Sequence, residues 1–125
     1  KYQFFYQLNF FPILYKKLMK KLRNLLLSVK GIGPETADSI ILYAFNKPIF
    51  VIDTYTKRIF SRFGLCKHDV SYDELQKVFM DNLDVDKKLF NEYHSLIVEH
   101  AKQFCRTKQL CDECILNKEC KKMIK

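Results

Sequence analysis

The sequence predicts an all-α protein. Apolar residues recur at three- and four-residue intervals through most of the chain. Helix-starting and helix-ending residues bound those stretches, and no stretch reads as a convincing strand. At 125 residues and 48% apolar content, the chain has the length of one domain and enough apolar side chains for a modest core.

The first helix is written in "FPILYKKLMKKLRNLLLSV". Ile13, Leu14, Leu18, Leu22, Leu25, Leu26 and Val29 fall on one stripe, with Lys16, Lys17, Lys20, Lys21 and Arg23 elsewhere. A basic helix lying on a membrane surface has the same pattern. The Gly-Ile-Gly that follows favours a helix packed on its own core. A second helix is expected from Pro34, a residue suited to the first helical position, to about residue 45, with Ala37, Ile40, Ile41 and Ala44 inside. "NKP" at 46–48 breaks it, and "IFVID" at 49–53 reads as a short extended or loop segment. Asp53 then stands at an N-cap before "TYTKRIFSRFG", which Gly64 ends. "SYDE" at 71–74 is a capping box before "LQKVFMDNL". The last helix runs from about Asp86 to Phe104. Leu89, Phe90, Tyr93, Leu96, Ile97, His100, Ala101 and Phe104 make its expected buried face. The aromatic start, "YQFFYQLNFFPILY", suits base stacking or, at its helical spacing, core packing.

The net charge is +8, concentrated at the two ends. Residues 1–30 carry seven Lys or Arg and no acid, and residues 101–125 carry seven more against three acids. Two basic ends suggest a polyanionic partner, most simply nucleic acid, although a solvated lysine-rich face looks the same. No run of eighteen uncharged apolar residues is present, so no transmembrane helix is expected. The chain begins with Lys, and "KYQFFYQLNFFP" is too polar for a signal peptide, so a fragment of a longer protein is expected.

"LLSVKGIGPETADSII" joins two helices by a tight turn with a glycine at each end and Ile32 between. Glycine permits positive φ and lets a phosphate approach the backbone. The helix beginning at Pro34 would then present free N–H groups and its positive dipole end to an anion. This is the helix-hairpin-helix pattern. It makes Lys30, Gly31, Ile32, Gly33 and Thr36 candidate DNA-binding residues, with Ile32 as the apolar peg under the turn. A plain helical hairpin with a glycine cap would share the glycines. Asp53 alone reads as an ordinary N-cap. The chain turns back after the second helix, however, and can return Asp53 to the hairpin. A carboxylate beside bound DNA can stabilise a cationic sugar at C1′ and help to activate water.

Cys105, Cys111, Cys114 and Cys120 are spaced C-x5-C-x2-C-x5-C. Four thiols so close, with no secretion signal, point to a metal or cluster rather than to disulfides. Spacing alone allows zinc or [4Fe–4S]. Arg106, Lys108, Lys118, Lys121 and Lys122 surround them. Cys66 lies outside this pattern and is expected to be a half-buried small residue. His100 is expected in the core, while His68 and His94 have no evident partner.

Residues 25–64, "LLSVKGIGPETADSIILYAFNKPIFVIDTYTKRIFSRFG", resemble the central segment of the endonuclease III superfamily of DNA glycosylases. A helix-hairpin-helix followed some twenty residues later by an apolar run and Asp carries the resemblance. It implies that Asp53 is the catalytic aspartate and that the four cysteines hold a [4Fe–4S] cluster, zinc being the lesser alternative. The usual first spacer between cysteines is six residues; here it is five. In relatives the cluster loop offers basic side chains to DNA, which adds Arg106 and Lys108 as candidate contacts.

The family has a two-lobed, all-helical body with its pocket between the lobes, and this chain resembles the C-terminal portion. Residues 1–58 are expected to be the end of one lobe, carrying the hairpin (25–45) and Asp53. Residues 59–125 are expected to be a helical lobe ending in the iron–sulfur loop (105–120). Most N-terminal helices of the family are missing, so weak or absent activity is expected of the 125 residues alone.

Bifunctional relatives carry a lysine two residues after the hairpin's last glycine, and its amine attacks C1′. Glu35 stands there instead, and a carboxylate cannot form an imine. The resemblance therefore implies a monofunctional base-excision glycosylase on double-stranded DNA with a damaged or mismatched base, leaning to alkylated purines. It also implies a monomer in a prokaryotic-type cytoplasm, associated with the nucleoid. A glycosylase/AP lyase on oxidised pyrimidines and a non-catalytic, zinc-stabilised DNA-binding module are the alternatives.

Overall fold

The computed structural model describes residues 10–124, and they are helical and strand-free as expected. Residues 1–9, which include most of the aromatic start, lie outside the described residues. Five α-helices follow one another: α1 (Phe10–Leu27), α2 (Pro34–Tyr43), α3 (Thr54–Phe63), α4 (Tyr72–Asn82) and α5 (Lys87–Gln103). A 3₁₀ turn at Cys111–Glu113 lies in the loop that follows.

The caps fall where the sequence puts them. Pro34 opens α2 behind Gly33. The Asp53 carboxylate accepts the Thr56 N–H at the start of α3. Ser71 and Glu74 complete a reciprocal capping box on α4. Asp86 caps α5 through the Leu89 N–H, and Phe104 ends it. Gly64 closes α3 in the left-handed region, φ 95°, with its N–H on the Phe60 and Ser61 carbonyls. α2 ends at Tyr43, two residues earlier than expected, because Asn46 turns left-handed and the Lys47 N–H bonds back to the Ile41 carbonyl.

Phe50, Ile52, Ile59, Leu75, Phe79, Phe90, Ile97 and Ala101 form the core. Phe50 stacks on Phe79 with ring centroids 4.0 Å apart and meets the edges of Phe90 and Tyr93. Burying such a ring contributes about 1.5–3 kcal/mol. Phe50 and Ile52 come from the extended segment just before Asp53, so the core anchors the approach to that residue.

Two expected buried faces are corrected. On the stripe expected for α1, Ile13, Leu14, Leu18, Leu25 and, just beyond the helix, Val29 are exposed, and only Leu22 and Leu26 are half-buried. The main packing partner of α1 among the described residues is α2, which leaves most of the stripe uncovered. On α5, Leu96 is 66% exposed, because the stripe that enters the core is Phe90, Ile97 and Ala101. Ala44 also lies outside α2 and is exposed.

The C-terminal loop is tied to α3. Arg58 Nε donates to the Cys105 carbonyl at 2.8 Å, and Arg62 donates to the Arg106 and Thr107 carbonyls at 2.5 and 3.1 Å. Returning, the chain donates the Met123 and Lys121 N–H groups to the Arg62 and Phe63 carbonyls.

Candidate functional site

The hairpin comes first. Gly31 has φ +90°, so a glycine is needed there for the backbone alone; a Cβ would meet nothing within 4 Å. Gly33 has φ −92°, an ordinary value, so its role is not conformational. No side chain caps α2, and the Ala37 N–H is the one that reaches back to the Gly33 carbonyl. The N–H groups of the first turn ahead of it have no acceptor from within the helix, which leaves them to water or an anion. Ile32 is half-buried, as a peg would be, while Lys30, Gly31, Gly33, Glu35 and Thr36 are exposed.

Behind the hairpin lies a group that the sequence did not single out. Asp38 is fully buried. Its carboxylate accepts from Arg23 Nε at 2.8 Å and Nη2 at 3.2 Å, from the Tyr72 hydroxyl at 2.7 Å and from Gln76 Nε2 at 2.8 Å. A buried carboxylate needs such partners, since an unpaired one costs several kcal/mol. Arg23 is therefore a partner of Asp38 and exposed Asp73, not part of a solvated basic face. Its guanidinium is held even further above its ordinary range, first by the Asp38 hydrogen bond. The Tyr72 phenol is pushed far up, first by burial and then by the Asp38 charge. The same two donors reach onward. Tyr72 accepts the Ile52 N–H at 3.3 Å, and Gln76 donates to the Phe50 carbonyl at 2.7 Å. Asp38 thus ties the hairpin's second helix to the segment that carries Asp53.

Asp53 is 12% exposed at the side chain. Its Oδ1 accepts both the N–H and the hydroxyl of Thr56, each at 2.8 Å, and Thr56 is wholly buried. Its Oδ2 stands 3.4 Å from Nε2 of His94, which projects from α5. The sequence left His94 without a partner. The signal was its place on the stripe Phe90, His94, Ile97, Ala101, at helical intervals of four, three and four. Asp38 likewise shares a stripe with Ile41 and Leu42. Among the described residues no hydrogen bond or ion pair joins Asp53 to the hairpin directly; the connection is through Asp38, Tyr72 and Gln76.

The four loop cysteines are free thiols and line one small cavity of about 30 Å³ together with Arg62, His100 and Asn117. Among the described residues no three metal-ligating side chains are drawn together as a formed site. The surroundings nevertheless suit anionic sulfur. The Leu116 and Lys122 N–H groups point at Cys114 and Cys120 Sγ, both at 3.4 Å. Arg62 Nη1 is 3.5 Å from Cys105 Sγ. Two oxygens lie against this pattern: the Arg62 carbonyl is 3.5 Å from Cys120 Sγ, and Asn117 Oδ1 is buried with no partner. His100 Nε2 lies 3.5 Å from Cys114 Sγ, and burial lowers the pKa of the ring. Arg106 and Lys108 are exposed, and Arg106 Nε is engaged by the Lys102 carbonyl at 2.9 Å. Cys66 is half-buried against the core, and burial raises its thiol pKa. A shallow basic depression beside α3, lined by Thr54, Lys57, Arg58, Ser61, Arg62 and His68, was also not anticipated.

No family model matches the chain. It is 52% identical over 99 residues to a protein of Methanocaldococcus jannaschii that carries the provisional name DNA repair glycosylase; the match covers 79% of this chain and 45% of that protein. It is 32% identical over 103 residues to endonuclease III of Sulfolobus acidocaldarius, covering 82% of this chain and 45% of the relative. Two solved structures are similar at a TM-score of 0.70 and 26% identity, covering 81% of this chain and 47% of theirs. One is a non-covalent endonuclease III–DNA complex and the other a trapped endonuclease III–DNA covalent intermediate. The chain therefore spans about half the length of the curated relatives it matches.

Proposed function

We infer that this chain is a homologue of the endonuclease III-type DNA repair glycosylases and carries the catalytic portion of a base-excision N-glycosylase. The observation that supports the reading best is the register of the two motifs. The hairpin offers uncapped N–H groups at Gly33, Glu35 and Thr36, and Asp38 links its second helix to the backbone that presents Asp53.

The chemistry follows from these parts. A phosphate bound at the α2 N-terminus, with Lys30 beside it, holds the backbone of a flipped nucleotide. The C1′–N bond breaks and its electron pair leaves with the base. The Asp53 carboxylate stabilises the positive charge on the sugar, and water adds to C1′ as it gives a proton to that carboxylate. The Thr56 N–H and hydroxyl and the N-terminus of α3 face the anionic carboxylate, as this role requires.

Cys105, Cys111, Cys114 and Cys120 would hold a [4Fe–4S] cluster as thiolates, with zinc as the lesser alternative. When bound, the cluster ties four points of the loop together. Arg58 and Arg62 attach that loop to α3, so that Arg106 and Lys108 form a second basic contact with DNA. Residues 1–58 supply the hairpin and Asp53, and residues 59–125 supply the loop. The division is one of function, because α3 runs through the boundary.

Glu35 cannot replace an attacking amine, so the enzyme is monofunctional and leaves an abasic site; it acts as a monomer. Alkylated purines are the preferred class. The site of action is the nucleoid of a prokaryotic-type cytoplasm; no described helix is long and apolar enough to cross a membrane. The test, on the longest natural polypeptide that contains this chain, is a set of duplexes carrying methylated purines, thymine glycol or a G·T mismatch, each with and without borohydride. Base release without a trapped adduct is expected, strongest on methylated purines. A borohydride-trapped adduct would establish the lyase alternative, and binding without any base release the non-catalytic one.

A further inference from the structure

We propose that His94 is a positioning residue for Asp53, orienting the carboxylate oxygen that faces the reacting sugar. The proposal rests on the reading of Asp53 as the catalytic carboxylate. Oδ1 of Asp53 is fully engaged by the two Thr56 donors at 2.8 Å. Thr56 is wholly buried, so its hydroxyl depends on that oxygen. Oδ2 is left as the oxygen able to meet the sugar and the attacking water. The nearest charged or ionisable partner of Oδ2 is Nε2 of His94, at 3.4 Å. The two side chains are 12% and 23% exposed, so their interaction is sheltered from bulk water.

The other ring nitrogen matters as well. Nδ1 of His94 is buried without a hydrogen-bond partner. The imidazole is therefore not held by another protein group, and Asp53 is its sole polar partner among the described residues. A ring that served only to fill space beside Phe90 and Ile97 would be better replaced by an apolar side chain, since burying an unpaired nitrogen costs free energy. Nε2 and Oδ2 are 3.4 Å apart, and a closing movement of a few tenths of an ångström would let Nε2–H donate to Oδ2; α5 would then fix the carboxylate plane that Thr56 fixes from α3.

The test is a double-mutant cycle in the longest natural polypeptide that contains this chain. Single-turnover base release is measured on dimethyl-sulfate-treated, thymine-glycol and G·T duplexes for wild type, Asp53→Asn, His94→Leu, His94→Gln and the double variant Asp53→Asn/His94→Leu. The same duplexes give the DNA Kd. His94→Leu is expected to lower the rate constant about ten- to a hundredfold with little change in Kd. His94→Gln, which keeps an N–H donor, stays within about threefold of wild type. In the Asp53→Asn background, His94→Leu adds no further loss.

Equal losses from His94→Leu in both backgrounds, equal losses for Gln and Leu, or a loss carried entirely by Kd would overturn the proposal. An Asp53→Asn variant as fast as wild type, or a wild type that releases no base, would instead overturn the reading of Asp53 itself. A readout independent of turnover is the ¹⁵N resonance of the His94 ring. It is expected to move on Asp53→Asn, and an unmoved resonance contradicts the contact.

Discussion

The Tyr72 hydroxyl donates to the buried Asp38 carboxylate at 2.7 Å while accepting the Ile52 N–H at 3.3 Å. One phenol thereby joins the hairpin's second helix to the residue before Asp53. With Arg23 and Gln76 it completes a network in which each oxygen of Asp38 has a partner. Removing the carboxylate takes an acceptor from three half-buried donors and leaves the Tyr72 hydroxyl without one. Asp38→Ala is therefore expected to lower stability by about 3–5 kcal/mol, read as a shift in urea midpoint. Arg23→Ala costs less, because Tyr72 and Gln76 remain on Asp38 and the guanidinium is partly exposed.

The same phenol predicts an alkaline weakness. Burial, followed by the Asp38 charge, raises the Tyr72 pKa above its ordinary 10.0. The folded state then keeps a proton that the unfolded state gives up. The stabilisation is intact below pH 10.0 and declines as pH rises beyond it. Urea midpoints measured from about pH 8 to about pH 11 should fall more steeply in wild type than in Tyr72→Phe. Parallel curves would show that the phenol is not coupled to folding.

The two hairpin glycines should separate stability from binding. Gly31 needs its positive φ, so Gly31→Ala is expected to cost about 1–2 kcal/mol. Gly33 has ordinary backbone angles and leaves α2 without a side-chain cap. Gly33→Ser supplies that cap and should add about 0.3 kcal/mol of stability. The new hydroxyl occupies an N–H needed by the phosphate, so affinity for undamaged duplex should fall. A stabilised Gly33→Ser variant with unchanged affinity would remove the phosphate from α2.

Cys114→Ser is expected to abolish a brown colour and absorbance near about 400 nm, and to loosen the loop that Arg58 and Arg62 hold. Cys66→Ser should leave both unchanged, since Cys66 packs on the core. A colourless wild type with one zinc per chain would assign the four thiols to zinc instead.

Much of this was legible in the sequence. Helix type and most helix ends follow from caps whose chemistry is local: Pro34, Asp53, Ser71 with Glu74, Asp86 and Gly64. Tertiary partners were not. Asp38 looks like a solvent residue until Arg23, Tyr72 and Gln76 converge on it from positions 15, 34 and 38 residues away. His94 looks unpartnered until α5 packs beside α3, which brings it to Asp53 across 41 positions. The apolar stripe of α1 is a sound helix signal and a poor burial signal. Periodicity reports which residues share a face; it does not report whether that face is covered.

The central claim is that Asp53 is the catalytic carboxylate rather than a helix cap alone. Asp53→Asn separates the two roles, because asparagine caps a helix as well as aspartate does and carries no charge. The decisive measurement is the single-turnover rate of base release by this variant of the longest natural polypeptide that contains the chain, beside its thermal midpoint and its affinity for the same duplex. Retained folding and affinity are expected, with a loss of at least about a hundredfold in rate. A variant that releases base at the wild-type rate would contradict the account.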